Sequence, residues 1–293
     1  MTPRSTNISV VITTYNRPEK LKRCLQAIRD QELLPAEIIV VNDGSTEDYT
    51  SVQSWASEVT WIHQENAGVS EARNHGVRHV SAPYTSLCDD DDYFLPNHIS
   101  TLESAIEGAR QPSILHTHRF DLVDTQLKPS EFLRRSPQDT WQEHYLRASM
   151  VICATCMPTA ALLEFPFPNG VKYAEDHEQR LLAMSRYDVL PIYKHTCVVD
   201  RTDETATNRS VFEISGIYRD RFKSIFSHPL IGPHIRKTRQ HQAIFRWTSL
   251  ELTELRNQSS PDFWKAWIQA TRQLRTLREA KTWCLHALWK LSS

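Results

Sequence analysis

Four short apolar runs, separated by helical patterns, constrain this chain more than any other feature. Ile8-Ser9-Val10-Val11-Ile12-Thr13-Thr14 is rich in β-branched residues. A continuous run of this kind reads as a strand buried on both faces. Glu37–Val41, Val59–His63 and Thr85–Cys88 read the same way. After the first run, Leu21, Cys24, Leu25 and Ile28 fall at helical spacing between Pro18 and Gln31. Ser70–Val80 and Leu95–Ala109 read as helices, and Ile114–Val123 as a fifth strand. Strands alternating with helices build βαβ units and a mostly parallel sheet. The expected fold class is α/β, with helices flanking a central sheet.

In open sheets of this class, ligands bind beyond the carboxyl ends of the strands. Those ends read Thr13-Thr14-Tyr15-Asn16, Asn42-Asp43-Gly44-Ser45 and Asp89-Asp90-Asp91-Asp92. All three are polar, and they should converge on one crevice. The four adjacent carboxylates repel one another. An isolated acidic run is usually a solvated loop. An EF-hand is excluded, because its ligands alternate around a central Gly and end in a Glu. Directly after a buried strand, the run reads instead as a site for a hard divalent cation. Mg²⁺ typically takes one or two carboxylates plus substrate phosphates. With 7 glycines in 293 residues, and neither GxGxxG nor GxxxxGK[ST], a Gly-rich phosphate loop is not expected.

The second half is less regular. Met150–Met157 reads as a strand, Pro166–Gly170 as a loop, and Ala174–Arg186 as a helix opened by acids, which a helix N-terminus favours. Charge changes sign along the chain. Residues 1–209 carry 20 basic and 29 acidic residues, and residues 210–293 carry 14 and 6. Five of the eight tryptophans (Trp247, Trp264, Trp267, Trp283 and Trp289) lie in that basic tail. The shift places a boundary near residue 210.

Five motifs then occur in order. They are Thr13-Thr14-Tyr15-Asn16-Arg17; Val41-Asn42-Asp43-Gly44-Ser45; Asn66, Gly68, Ala72, Arg73, Asn74 and Gly76; Asp89, Asp91 and Asp92 with Pro96; and Glu175-Asp176. The ordered set resembles the family 2 glycosyltransferases of the GT-A fold over residues 8–187. The resemblance implies an inverting transferase that uses a nucleotide-diphospho-sugar, most often a UDP-sugar. Residues 1–209 would be the catalytic domain, with a donor half at 1–123 and an acceptor half with the catalytic base at 124–209. Residues 210–293 would be a basic, Trp-rich helical extension.

The resemblance also implies roles. Asp43 would hydrogen-bond the base, and an ionised carboxylate there accepts only. Thr14, Tyr15 and Arg73 would line the base pocket. Thr13, Asn16, Arg17, Gly44, Asn66 and Gly68 would complete the donor site. Asp89 or Asp90 would hold the ribose. Asp91 would ligate Mn²⁺ or Mg²⁺, with Asp89 and His195 as further candidates. Asp92 would serve the loop and the helix that follows. Asp176 would be the general base, supported by Glu175, with Glu178 as fallback. Arg201 or His195 would touch the diphosphate. The acceptor would be a saccharide or a lipid-linked sugar in cell-surface glycan synthesis. Taken alone, Glu175-Asp176 is simply a pair of acids at a helix start.

Other features carry less. Cys153 and Cys156 form a lone CxxC without the second ligand pair a zinc site needs. His116 and His118 share a strand face and could form part of a metal site, but a polar face near the acceptor cleft, or ordinary packing, fits better. The six cysteines sit mostly in apolar runs, which suits reduced thiols. The N-terminus lacks a signal-peptide pattern and no run reaches a membrane span, so the expected location is cytoplasmic. The tail reads first as a helical subdomain packing its tryptophans. A second reading is a peripheral contact with the inner face of the plasma membrane through Lys265, Arg272, Arg275, Arg278, Lys281 and Lys290. A third is a protein-partner surface. Nucleic acid is excluded by the acidic remainder of the chain. The competing functions are a metal-dependent nucleotidyltransferase and a non-catalytic nucleotide-sugar-binding protein.

Overall fold

The computed structural model describes residues 6–148, 150–171, 173–202, 211–244 and 267. The chain divides into two compact units, Met1–Asp203 and Glu204–Ser293.

The first unit is built on one nine-stranded sheet. Its strands are β1 (Ile8–Thr14), β2 (Glu37–Asp43), β3 (Thr60–Gln64), β4 (Tyr84–Asp89), β5 (Tyr93–Phe94), β6 (Ile114–Val123), β7 (Gln126–Pro129), β8 (Thr155–Pro158) and β9 (Val189–Asp200). Its helices are α1 (Pro18–Arg29), α2 (Thr50–Trp55), α3 (Val69–Arg78), α4 (His98–Gly108), α5 (Trp141–Ala148), α6 (Thr159–Glu164) and α7 (Glu175–Ala183). The strand order is β3-β2-β1-β4-β8-β6-β9-β5, with β7 paired to β6. The pairs β3–β2, β2–β1, β1–β4 and β6–β9 are parallel. β8 runs antiparallel between β4 and β6, so β4, β6 and β9 still point the same way. Their carboxyl ends, with those of β1, β2 and β3, share one edge of the sheet.

Every residue of β1 is buried, as a run covered on both faces requires. Ile8, Val10 and Ile12 pack into one cluster with Leu21, Cys24, Leu25 and Ile28 of α1. Pro18 opens α1, where a missing N–H costs nothing. Val11 and Val41 meet α3 on the other face at Gly76, where an added Cβ would collide with Val11 Cγ1. The glycine lets the helix lie close against the strands.

Several expectations change. Met150–Met157 is not one strand, because only Thr155–Pro158 pairs. Residues 150–154 are nonetheless largely buried, so the apolar run marks core rather than ladder. The helix read from Leu95 begins at His98, after the two-residue β5 pairs with Val198 and Cys197. The long strand β9 and the short helices α2, α5 and α6 had no clear pattern in the sequence.

The described part of the second unit holds α8 (Val211–Ser227) and a 3₁₀ turn at Gly232–His234. Phe222, Ile225 and Phe226, which fall at helical spacing, are buried. Four of the five tail tryptophans and all six cations invoked for membrane contact lie outside the described residues. Among the described residues no helix is long and apolar enough to cross a membrane.

Candidate active site

Strand register brings the expected motifs together. Thr14 lies beside Asn42, Thr13 beside Asp89, and Asp43 beside Gln64. The three polar strand ends therefore line one continuous edge.

At the end of β2, the Asp43 carboxylate organises a turn. Its Oδ1 accepts from Gln64 Nε2 at 2.7 Å and from the Ala67 N–H at 2.9 Å. Its Oδ2 accepts from the Gly68 N–H at 3.0 Å. Asn66 Nδ2 donates to the Asp43 carbonyl at 2.9 Å. His75 Nδ1 in turn donates to Gln64 Oε1 at 2.7 Å. Gly44 has φ +74°, and a Cβ there would lie 2.5 Å from the Asn66 N. Only glycine fits both constraints.

Across the edge, Asn16 holds φ 54°, a conformation Asn tolerates better than most residues. Its Oδ1 accepts from the Thr46 and Glu47 N–H groups, which ties the β1 loop to the β2 loop. Tyr49, which no motif had flagged, sits between them. Its hydroxyl contacts Thr14 Oγ1 at 2.8 Å and accepts from the Arg17 N–H at 2.9 Å. Tyr15 remains exposed.

The four aspartates separate by direction. Asp89 faces Arg73, at 2.7 Å from Nη2. Asp90 turns inward and accepts from Thr14 Oγ1 at 2.7 Å. Asp91 faces outward and meets Arg17 Nη1 at 2.6 Å. Asp92 turns inward again, and its Oδ1 accepts from the Asp200 N–H at 3.2 Å. Asp92 thus clamps the loop to β9 rather than to the helix that follows. Burial, with help from Asp91 and Asp89, pushes the Asp90 carboxyl up to about 6 despite Thr14 and Arg17. Burial, then Asp89 and Asp91, pushes Asp92 up to about 8.

Glu175 and Asp176 open α7. The preceding Ala174 holds φ 58°, a strained conformation for a residue with a Cβ. Arg73 reaches across the crevice: Nη1 lies 3.1 Å from Glu175 Oε1, and Nη2 holds Asp89. Burial lowers the pKa of this guanidinium, but Asp89 and Glu175 outweigh burial and raise it. Asn74 exchanges two hydrogen bonds with the Phe167 backbone, which anchors the loop leading to α7. Burial and Asp176 push Glu175 up, against Arg73. Burial pushes Asp176 up as well, but His177, Arg180 and Arg73 outweigh it and hold Asp176 below the ordinary range. Arg180 Nη1 donates to Asp176 Oδ2 at 3.0 Å. The two carboxyl groups are thus pushed apart, Asp176 down and Glu175 up.

Two further candidates have other contacts. His195 Nε2 faces the Ser130 carbonyl at 3.0 Å, and its ring packs with Phe120 and Phe132. Its ring is thus turned into an aromatic cluster, not to a metal at Asp91. Among the described residues the Arg201 side chain makes a long 3.4 Å contact with Asp121, and it is 43% exposed. Cys153 lies before β8, with its Sγ 3.5 Å from that of Cys197, and all five described cysteines are free and buried. Among the described residues no three His, Cys, Asp or Glu side chains are grouped to hold a metal by themselves. A cation here would need ligands from a bound diphosphate. The donor set suits that. Asp89 and Asp91 offer hard oxygens, with side chains 31% and 26% exposed, while burial first and then the neighbouring carboxylates raise Asp90 and Asp92.

A model of the family described as glycosyl transferase family 2 matches residues 9–165. The chain belongs to glycosyl transferase family 2. Among its curated relatives, the uncharacterized glycosyltransferase YwdF of Bacillus subtilis (strain 168) is 44% identical over 105 residues, which cover 35% of this chain and 39% of YwdF. Glycosyltransferase GlyA of Streptococcus pneumoniae serotype 4 is 38% identical over 103 residues, covering 34% of this chain and 15% of GlyA. The matches thus span well under half of these relatives. The structure of S. aureus TarS residues 1–349 superposes with a TM-score of 0.63 at 17% identity, covering 91% of this chain and 79% of TarS. The mannosyltransferase PcManGT from Pyrobaculum calidifontis, solved with GDP-Man and Mn²⁺, gives 0.62 at 16% identity, covering 98% and 81%. These likenesses establish the GT-A fold for this family 2 chain.

Proposed function

We propose that this protein is an inverting, metal-dependent glycosyltransferase that moves a sugar from a UDP-sugar to a hydroxyl of a saccharide or lipid-linked acceptor. The observation that carries the reading is the Asp89–Arg73–Glu175 chain. One buried guanidinium spans the donor-side strand end and the start of α7, which supports a donor and a base sharing one crevice. Family membership and the TarS structure solved with UDP-GlcNAc support the reaction class.

The state of Asp43 supports uracil. A carboxylate offers about four acceptor positions. Three are taken by Gln64, Ala67 and Gly68. One on Oδ2 remains, which suits the single imide N–H of uracil. Guanine presents two adjacent donors and needs both oxygens.

Asp89 and the inward Asp90 would hold the ribose. Asp91, with Asp89 as a second carboxylate, would hold Mn²⁺ or Mg²⁺, which neutralises charge developing on the leaving diphosphate. Asp176 would take the proton of the acceptor hydroxyl. The acceptor oxygen bonds to the anomeric carbon from the far face while the bond to the diphosphate oxygen breaks, and the electron pair leaves with the nucleotide. Glu175 orients the helix start through Arg73. Arg201, weakly engaged at the end of β9, is the remaining diphosphate candidate. The reading keeps the cytoplasmic setting, a catalytic domain over 1–209 and an extension over 210–293. Asp176→Asn should keep UDP-sugar binding and lose transfer by about 10²- to 10⁴-fold. Transfer at the normal rate would remove Asp176 from the mechanism.

A further inference from the structure

The Arg17 guanidinium occupies a place that a metal also requires. Its Nη1 lies 2.6 Å from Asp91 Oδ2 and 3.2 Å from Asp90 Oδ1. The main chain of Arg17 is fixed, because its N–H donates to Tyr49 OH and its carbonyl accepts from the Leu21 N–H at 3.0 Å. The side chain is 30% exposed, so its guanidinium can leave Asp91 without a shift of the main chain. The Asp91 main chain is held by a different residue. Arg23 Nη2 donates to the Asp91 carbonyl at 2.6 Å, and Arg23 Nη1 holds Asp200 at 2.7 Å. The Asp91 carboxylate is therefore presented from a pinned backbone, with the Arg17 guanidinium against it.

A small divalent cation binds a carboxylate oxygen at about 2.0–2.1 Å. At Asp91 Oδ2 it would sit beside a guanidinium nitrogen already 2.6 Å from the same atom. Two positive groups so close repel strongly, and each is better placed without the other. The inward oxygen of Asp90 offers no easy alternative, because Thr14 already donates to it.

We propose that Arg17 is an internal competitor for the metal. It neutralises Asp91 in the nucleotide-free protein and swings to the diphosphate oxygens when cation and nucleotide bind together. The inference rests on the metal-dependent reading given above. Arg17 is then a positioning residue that couples the two ligands. The cation alone binds weakly. The diphosphate adds oxygen ligands for the cation and gives Arg17 a new anionic partner, so nucleotide and cation strengthen each other's binding by the same factor. A Gly-poor loop after β1 is consistent with this arrangement, since the side chain supplies the anion contact that backbone amides supply elsewhere.

The test is Mn²⁺ binding to the full-length chain, read from the paramagnetic resonance signal of free Mn²⁺, with and without UDP. Arg17→Gln and Arg17→Met should bind Mn²⁺ alone about tenfold tighter than wild type, and UDP should improve their Mn²⁺ affinity by a smaller factor than in wild type. Arg17→Lys keeps the charge and should restore weak binding of Mn²⁺ alone. Adding Asp91→Asn to Arg17→Gln should abolish the gain. Wild-type Mn²⁺ binding that needs UDP, together with neutral variants that bind Mn²⁺ alone no tighter, would overturn the Arg17 proposal and leave the metal reading standing. Wild type that binds no Mn²⁺ even with UDP would overturn both.

Discussion

Arg73 Nη1 lies 3.1 Å from Glu175 Oε1, although the two residues are 102 positions apart in the chain. The other arm of the same guanidinium holds Asp89 at 2.7 Å. A buried arginine between two carboxylates is a junction, and removing it leaves both acids without their cation. Arg73→Met should destabilise the protein by about 3–5 kcal/mol in urea unfolding. Arg73 also helps to hold Asp176 below the ordinary carboxylate range. The acid limb of the rate–pH profile should therefore move to higher pH in Arg73→Gln. A variant that loses stability but keeps the wild-type profile would make Arg73 a structural residue only.

The aspartate run predicts an unusual pH dependence. Asp92, ordinarily near 3.8, is pushed up to about 8 by burial first and by its acidic neighbours. A raised carboxyl favours the folded state fully below its unfolded value, and that contribution is lost as pH rises through the folded value. Stability in EDTA should therefore fall between about pH 4 and pH 8, and Asp90 should add to the fall up to about pH 6. Asp92→Asn keeps an acceptor for the Asp200 N–H and should be more stable than wild type at pH 8 but not at pH 4. Urea midpoints at both pH values check this. Asp176 has the opposite sign: its contribution is present at neutral pH and is lost only in acid.

The β2 turn should tolerate no side chain. Gly44→Ala meets the Asn66 backbone at 2.5 Å and a φ of +74° that alanine disfavours. It should cost more than about 2 kcal/mol and displace the Ala67 and Gly68 amides from Asp43. Thermal unfolding and UDP titration on the same preparation separate the two effects. Gly68 also has positive φ, but no atom lies within 4 Å of an added Cβ, so Gly68→Ala should be milder.

The relay His75–Gln64–Asp43 predicts a quieter effect. Gln64→Ala removes a donor from Asp43 Oδ1 and frees a second acceptor position. The variant should bind UDP about tenfold more weakly and should discriminate less against GDP. Competition between the two nucleotides for the site is the measurement. Undiminished preference for UDP would exclude the relay from base selection.

The buried parallel strands β1 and β2 were legible because continuous β-branched runs have few other uses, and β4 because a short run ending in four carboxylates follows the same pattern. The directions of Asp89 to Asp92 were not. Each is set by a partner distant in sequence: Arg73, Thr14, Arg17 and the Asp200 N–H. Tyr49 and Arg23 carried no motif, since their importance comes from what folding brings beside them. Gln64 could have been noticed, because it directly follows the Val59–His63 run at the same edge as Asp43. β5 is two residues long and exists only through pairing with β9, so no local pattern announces it. β9 contains Pro191 and the polar pair Lys194-His195, which hide a strand that tertiary pairing with β6 sustains.

The central claim is a uridine-nucleotide site completed by a divalent cation at Asp91. Calorimetric titration of UDP into the full-length chain, in Mn²⁺ and again in EDTA, tests it most directly. Saturable binding in Mn²⁺ that is lost in EDTA and in Asp91→Ala is the predicted result. No binding of UDP in Mn²⁺, or equal binding in EDTA and in Asp91→Ala, would contradict it.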